Sequence, residues 1–381
     1  MGKTAYGEGS IYQRADGRWS AQLDMGWRNG KRQRKLIYGR TRREVQDRLR
    51  AALKAKQEGT LRVGSRQSTG KFLQRWLEDS VKPSVRPATY SMYWHLTTRH
   101  LIPNLDRVPL EKLSPEHVQA LLRAKTDEGL APRTVHHLRA LLRIALNRAM
   151  RWGLVARNAA ALADSPRIER FEVRMLAPAE AKQLLAAAED DRLGALYSVA
   201  LALGLRQGEA LGLSWEDVDF ESRRLHVRHG LQRIAGKLRL VEPKTRQSRR
   251  TIALPAVVID ALQHHRAKQS QERLLAGTRW HETGLVFTST IGTPIEVGNL
   301  RRCFWRLLEK ARLPRMRFHD LRHSCASLLL VQGVSARVVM ETLGHSNISI
   351  TMDTYTHVLP ELQRQAADAM DRALGFRTLE R

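Results

Sequence analysis

The spacing of apolar residues changes along this chain, and that change rules out a single uniform architecture. Up to about residue 40, short runs alternate apolar and polar side chains between turn signals. The runs are Gly9-Ser10-Ile11-Tyr12-Gln13-Arg14, Trp19-Ser20-Ala21-Gln22-Leu23-Asp24-Met25 and Lys31 to Tyr38, separated by Asp16-Gly17 and Asn29-Gly30. Two-residue alternation interrupted by Asp-Gly and Asn-Gly predicts three antiparallel strands joined by hairpins. Thr41 then caps a helix expected from Arg42 to Gln57, with Val45, Leu49, Ala52 and Leu53 on one face.

After a Ser- and Gly-containing stretch the spacing turns helical. Phe72, Trp76 and Leu77 mark one helix, and a second follows Pro87 with Tyr90, Tyr93, Trp94 and Leu96. Ser114-Pro115-Glu116 opens a third. The fourth runs from Pro132 to Trp152 with Val135, Leu138, Leu142, Ile144 and Leu146 on its apolar side. Beyond a charged connector, helices are expected at Pro178 to Ala188 and Leu193 to Leu213. One small antiparallel sheet is expected from Leu225 to Ile234, Lys237 to Val241 and Arg250 to Leu254. Helices resume at Pro255 to Leu275, Gly298 to Ala311, His319 to Gln332, Ser335 to Leu343 and Ile348 to Thr356. The fold class read from this pattern is multidomain α+β: a small three-stranded sheet with one helix at 1–62, a linker at 63–70, a helical domain at 71–164, a linker at 165–174, and a mostly helical domain with an inserted sheet at 175–381.

The 381 residues carry 65 Lys and Arg against 38 Asp and Glu, a formal charge of +27. Residues 1–62 alone carry 16 cationic against 6 anionic side chains. Such a field attracts polyanions, which makes nucleic acid the leading partner. Two cysteines, Cys303 and Cys325, are too few for a disulfide framework. The most apolar stretch, Leu193 to Leu205, is shorter than the roughly 18 residues that a membrane span needs, so no membrane partner is expected.

Several fragments bring reactive side chains together. Arg206 ends the apolar stretch, with Glu209 one turn on. An anion grip and a plain structural Arg206–Glu209 pair are equal readings of that fragment. His319 and Arg322 stand three apart in Phe318-His319-Asp320-Leu321-Arg322-His323, which puts imidazole and guanidinium on one helical face, though an ordinary charged helix start reads the same way. Gly344 is placed as a helix terminator before His345, by itself an unremarkable surface histidine. Tyr355, alone of seven tyrosines, follows Arg322. At neutral pH only about 0.1% of an ordinary tyrosine is phenolate, so a nucleophilic role needs cations or a base nearby.

Together these fragments resemble the tyrosine recombinase, or phage integrase, family. The matching boxes, in family order, are Ala202-Leu203-Gly204-Leu205-Arg206-Gln207-Gly208-Glu209-Ala210-Leu211, Pro243-Lys244-Thr245 with Arg250-Thr251-Ile252-Ala253-Leu254-Pro255, His319-Asp320-Leu321-Arg322-His323, Leu343-Gly344-His345-Ser346 and Asp353-Thr354-Tyr355-Thr356-His357. The resemblance implies that Tyr355 is the nucleophile on DNA, that Arg206 and Arg322 clamp the scissile phosphate, that Lys244 protonates the leaving oxygen, and that His319 and His345 assist. Glu209 would orient a neighbouring side chain. It also implies a catalytic domain at 175–381, a core-binding domain at 71–164 and an arm-type DNA-binding domain at 1–62.

Implied with them are double-stranded attachment sites of core and arm type as partners, a homotetramer on DNA, a host DNA-bending protein and an excisionase as helpers, and no cofactor or metal. The setting would be the cytoplasm of a bacterial host, at its nucleoid. Three other readings compete. A non-catalytic DNA-binding regulator would need only the basic sheet and helices, with Arg18, Trp19, Arg32 or Arg34 near bases or phosphates. A metal phosphohydrolase would draw ligands from His319, Asp320, His264, His265 and His281, but leaves Tyr355 and Arg206 without roles. A type IB topoisomerase shares the tyrosine chemistry but not the two N-terminal modules.

Overall fold

Strands β1 (Ser10–Gln13), β2 (Trp19–Arg28) and β3 (Lys31–Gly39) form an antiparallel sheet in that order, with a bulge between Asp24 and Trp27. Helix α1 (Arg42–Gln57) lies on one face, where Val45, Leu49 and Ala52 bury Ala21, Leu23 and Ile37. The alternation of the strands and the spacing of the helix produce this small core, and Thr41 caps the helix by accepting the Glu44 N–H at 3.2 Å. The structure, a computed structural model, describes residues 10–28, 31–57, 67–168, 173–243 and 249–344 and scattered positions between 364 and 374. The chain divides into two units, Met1–Glu169 and Arg170–Arg381. Among the described residues no helix is long and apolar enough to cross a membrane.

The first unit continues with α2 (Thr69–Trp76), α3 (Pro87–Leu96), α4 (Ile102–Leu105), α5 (Pro115–Asp127) and α6 (Pro132–Arg151). A wider π-type turn at Thr97–Leu101 joins α3 to α4, so the two act as one bent helix. Phe72, Trp76, Leu101, Leu121, Val135, Leu138 and Leu142 fill their shared core. Ile144 does not join it. It is 45% exposed, because two residues beyond Leu142 a helix has turned to its far side, and Leu141 takes the buried place.

In the second unit α7 (Pro178–Ala188) packs on α8 (Gly194–Leu203), which is buried on nearly every side. A helix apolar all round belongs at the centre of a domain, and α8 sits there, its Tyr197 ring 5.6 Å from that of Phe304. The helix expected over Leu193 to Leu213 is broken in two. Gly204 adopts φ +61° and ψ +32°, a left-handed turn that ends α8, and a short α9 (Gln207–Leu211) starts after Arg206. Apolar spacing on both sides of the glycine hides this break from the sequence.

Five short strands follow: β4 (Val218–Asp219), β5 (Arg224–Val227), β6 (Gly230–Ile234), β7 (Lys237–Val241) and β8 (Arg250–Ala253). The single sheet expected here is two. β4, β5 and β8 pair in that order, and β6 pairs with β7 as a separate hairpin. Alternation reports which face a residue takes, not which strand it meets, so the change of partner at Arg228-His229 leaves no mark in the pattern. Helix α9 lies directly on β6: a Cβ on Gly208 would come 2.9 Å from the Leu231 carbonyl oxygen.

Helices α10 (Ala256–Ala276), α11 (Val297–Lys310), α12 (Asp320–Val331) and α13 (Ala336–Leu343) complete the unit. The helix expected over 348–356 lies outside the described residues. A Cβ added at Gly204 would stand 2.4 Å from the Leu343 Cδ2 and 3.2 Å from the Cys325 Sγ. Gly204→Ala therefore combines that overlap with a left-handed backbone costing about 1–2 kcal/mol. The expected outcome is a lowered Tm by calorimetry; an unchanged Tm would show that the turn tolerates a side chain.

Candidate active site at the Gly204 turn

The turn that ends α8 gathers cations from distant segments. Arg322, in the first turn of α12 and 3% exposed, donates from Nη1 to the Gly204 carbonyl at 2.7 Å. Arg206, two residues past that glycine, donates from Nη2 to the Gly344 carbonyl at 3.0 Å and from Nη1 to Glu209 at 2.7 Å. Its side chain keeps 37% exposure, whereas Glu209 is buried to 8%. The Arg206–Glu209 pair is therefore real, yet it leaves the guanidinium at the surface rather than consuming it. Gly344, left-handed at φ +68°, ends α13 as its position in the sequence suggests.

Glu209 serves a second cation. Arg250, at the start of β8, donates from Nη2 to its Oε2 at 3.1 Å and from Nε to the Thr342 carbonyl at 2.6 Å. Burial alone would raise the Glu209 carboxyl, but Arg250 and then Arg206 outweigh it and hold it below the ordinary carboxylate range. It is an anion at neutral pH.

His319 stands at the N-terminus of α12, one turn before Arg322. Part of it is open to solvent, yet crowding by the surrounding protein, helped by His323 and Arg322, lowers its imidazole to about 4. It is consequently neutral in the physiological range. The His323 ring meets it edge to face with centroids 5.3 Å apart. Asp320 does more than favour the helix dipole: it is 1% exposed and accepts from the Arg317 backbone N–H at 2.9 Å and from its guanidinium at 2.7 Å.

Of the residues expected in the site, Arg206 and Arg322 meet at this turn, and His319 stands one helical turn before Arg322 against His323. Lys244, His345 and Tyr355 lie outside the described residues. Arg250 and His323 were not singled out by the sequence. A signal for Arg250 existed: two residues before Ile252, which is buried, it must take the inward face of its strand. Two of the histidines considered as metal ligands are otherwise engaged. His265 is a core residue whose Nε2 lies 2.7 Å from the Val286 carbonyl, and His264 turns to the Asp260 carbonyl of its own helix. Among the described residues no three His, Cys, Asp or Glu side chains are grouped to hold a metal.

Comparison with known proteins decides the family. The "Phage integrase family" profile matches residues 174–361, and the "Phage integrase, N-terminal SAM-like domain" profile matches residues 70–125. A tyrosine recombinase XerC-like protein of Caldanaerobacter subterraneus subsp. tengcongensis is 33% identical over 366 residues, covering 90% of this chain and 93% of the relative. The chain belongs to the phage integrase family. It is accordingly an enzyme of the tyrosine recombinase type.

Two solved structures share the fold. The Tn1549 transposon integrase in complex with a circular intermediate DNA matches with TM-score 0.65 at 21% identity, over 78% of this chain and 99% of that one. A lambda integrase tetramer bound to a Holliday junction matches with TM-score 0.56 at 20% identity, over 90% of this chain and 94% of that one.

The lowered His319 carries a pH consequence. Its folded value lies below the ordinary 6.5, so on acidification the unfolded chain takes up the proton first. Stability from this residue is intact above 6.5 and declines as pH falls toward about 4. His319→Gln should flatten that part of a Tm–pH curve, leaving the slope due to His323, His265 and His100, which are also lowered. An unaltered curve would contradict the assigned environment.

Proposed function

We propose that this chain is a site-specific DNA integrase that cuts and rejoins attachment sites of a phage or other mobile element through a covalent 3′-phosphotyrosine. The observation that carries this reading is the meeting of Arg206 and Arg322 at one turn from segments more than 100 residues apart, with His319 one helical turn before Arg322. A phosphodiester is anionic and repels a phenolate; planar guanidinium groups offset that charge and strengthen their hold as more develops on the phosphoryl oxygens. In the proposed step the Tyr355 phenol oxygen forms a bond to phosphorus as the bond to the 5′ oxygen breaks. The leaving oxygen takes the electron pair and a proton from Lys244. Arg206 and Arg322 hold the non-bridging oxygens. His319 and His345 assist by proton transfer and by hydrogen bonds to the phosphate.

The ester retains the energy of the broken bond, so a new 5′-hydroxyl can be joined without nucleotide or metal. Four protomers exchanging strands in pairs give a Holliday junction; the DNA-bound relatives support this assembly. The separate hydrophobic cores of residues 21–52 and 72–163 support an arm-type module at 1–62, a core-binding module at 71–164 and a catalytic domain at 175–381. Core and arm sites, a host DNA-bending protein and an excisionase complete the proposed partners, in a bacterial cytoplasm at the nucleoid.

The deciding experiment incubates the wild type and Tyr355→Phe with a nicked duplex from the junction where the element carrying this chain meets its host. A denaturant-resistant protein–DNA adduct should form with the wild type only, while both bind. An adduct in the phenylalanine variant sinks the assignment of Tyr355, and no adduct from either favours a regulator. Binding should also weaken linearly in log–log form as salt rises, since each phosphate contact releases counterions. A flat response would contradict a cationic DNA surface.

A further inference from the structure

Arg250 points inward from β8 and its side chain is only 7% exposed. Its guanidinium is divided between two elements, Nη2 to Glu209 and Nε to the Thr342 carbonyl at the end of α13. Two residues on, the Gly344 carbonyl accepts from Arg206, and Arg206 returns to Glu209 through both its backbone N–H, at 3.0 Å, and its Nη1. These bonds close a ring: Arg206 to Glu209, Glu209 to Arg250, Arg250 to Thr342, and along the α13 terminus through Gly344 back to Arg206.

We propose that Arg250 is a positioning residue for strand cleavage, directing the Arg206 guanidinium through this ring without itself touching DNA. The proposal rests on the reading of Arg206 as a phosphate clamp. Stability alone does not account for the arrangement, since an apolar pair of similar volume serves a core as well as a buried ion pair does. Direction does. With Arg250 gone, Glu209 faces Arg206 alone in a poorly solvated place, and its undivided attraction draws the guanidinium away from a phosphate. The Thr342 carbonyl, one of the last in its helix, loses a donor at the same moment. Lysine cannot replace the fork: one ammonium reaches the carboxylate or the carbonyl with the right geometry, but not both.

The test uses full-length protein, the same nicked junction duplex, single-turnover adduct formation, DNA affinity and Tm. Arg250→Met should slow adduct formation about 10²-fold, the scale of a small misplacement of a reacting group, while DNA affinity stays within about twofold of wild type. Arg250→Lys should fold with a modestly lowered Tm and recover part of the rate, remaining about tenfold slow. Adding Glu209→Gln to Arg250→Met should cost far less than Glu209→Gln costs alone, because both act through one ring. If Arg250→Met does not fold, Arg250→Lys decides. Wild-type cleavage by Arg250→Lys, or a methionine loss that merely matches its unfolded fraction, overturns the proposal. Arg206→Ala is the control: wild-type cleavage there defeats the reading of Arg206 instead, whereas an inactive Arg206→Ala beside a fully active Arg250→Lys defeats this inference alone.

Discussion

One buried carboxylate, shared between two guanidinium groups that reach it from separate segments, is the constraint on which the rest of this site depends. Glu209 accepts from Arg206 on its own turn and from Arg250, 41 residues away. A lone carboxylate so deeply buried would favour its neutral form; two cations keep it charged. The carboxylate in turn keeps two like charges close together without driving them apart. Around this centre, main-chain carbonyls at Gly204, Thr342 and Gly344 each accept from one of three arginines. The cations are thus directed by backbone, which cannot rotate away as a side chain can.

This arrangement divides labour between the arginines. Arg322 is almost wholly enclosed and Arg206 is partly solvated. Arg206 turns one side to Glu209 and leaves another in solvent, which a planar group with five donors can do. Their mutual hydrogen bonds hold these side chains in place within the protein itself.

Much of the fold was legible because sequence and structure share a period. Helix α1 and helix α7 have the bounds that Thr41, Pro178 and the spacing of Val45, Leu49 and Leu184 imply. His319 meets His323 because four residues make about one helical turn. The Gly204 break was hidden, since apolar residues flank it and a glycine inside such a run reads equally as a tolerated helix residue. The two-sheet division was hidden because pairing partners are not encoded in alternation. Arg250 escaped notice for a different reason: cations are expected outside, and only the inward neighbour Ile252 argued against it.

The contact between α9 and β6 has a mechanical consequence. Where Gly208 rests on the main chain of Leu231, no side chain intervenes to act as a cushion. Helix and hairpin are stiffly yoked, so a tilt of the hairpin is passed directly to the short helix that follows Arg206.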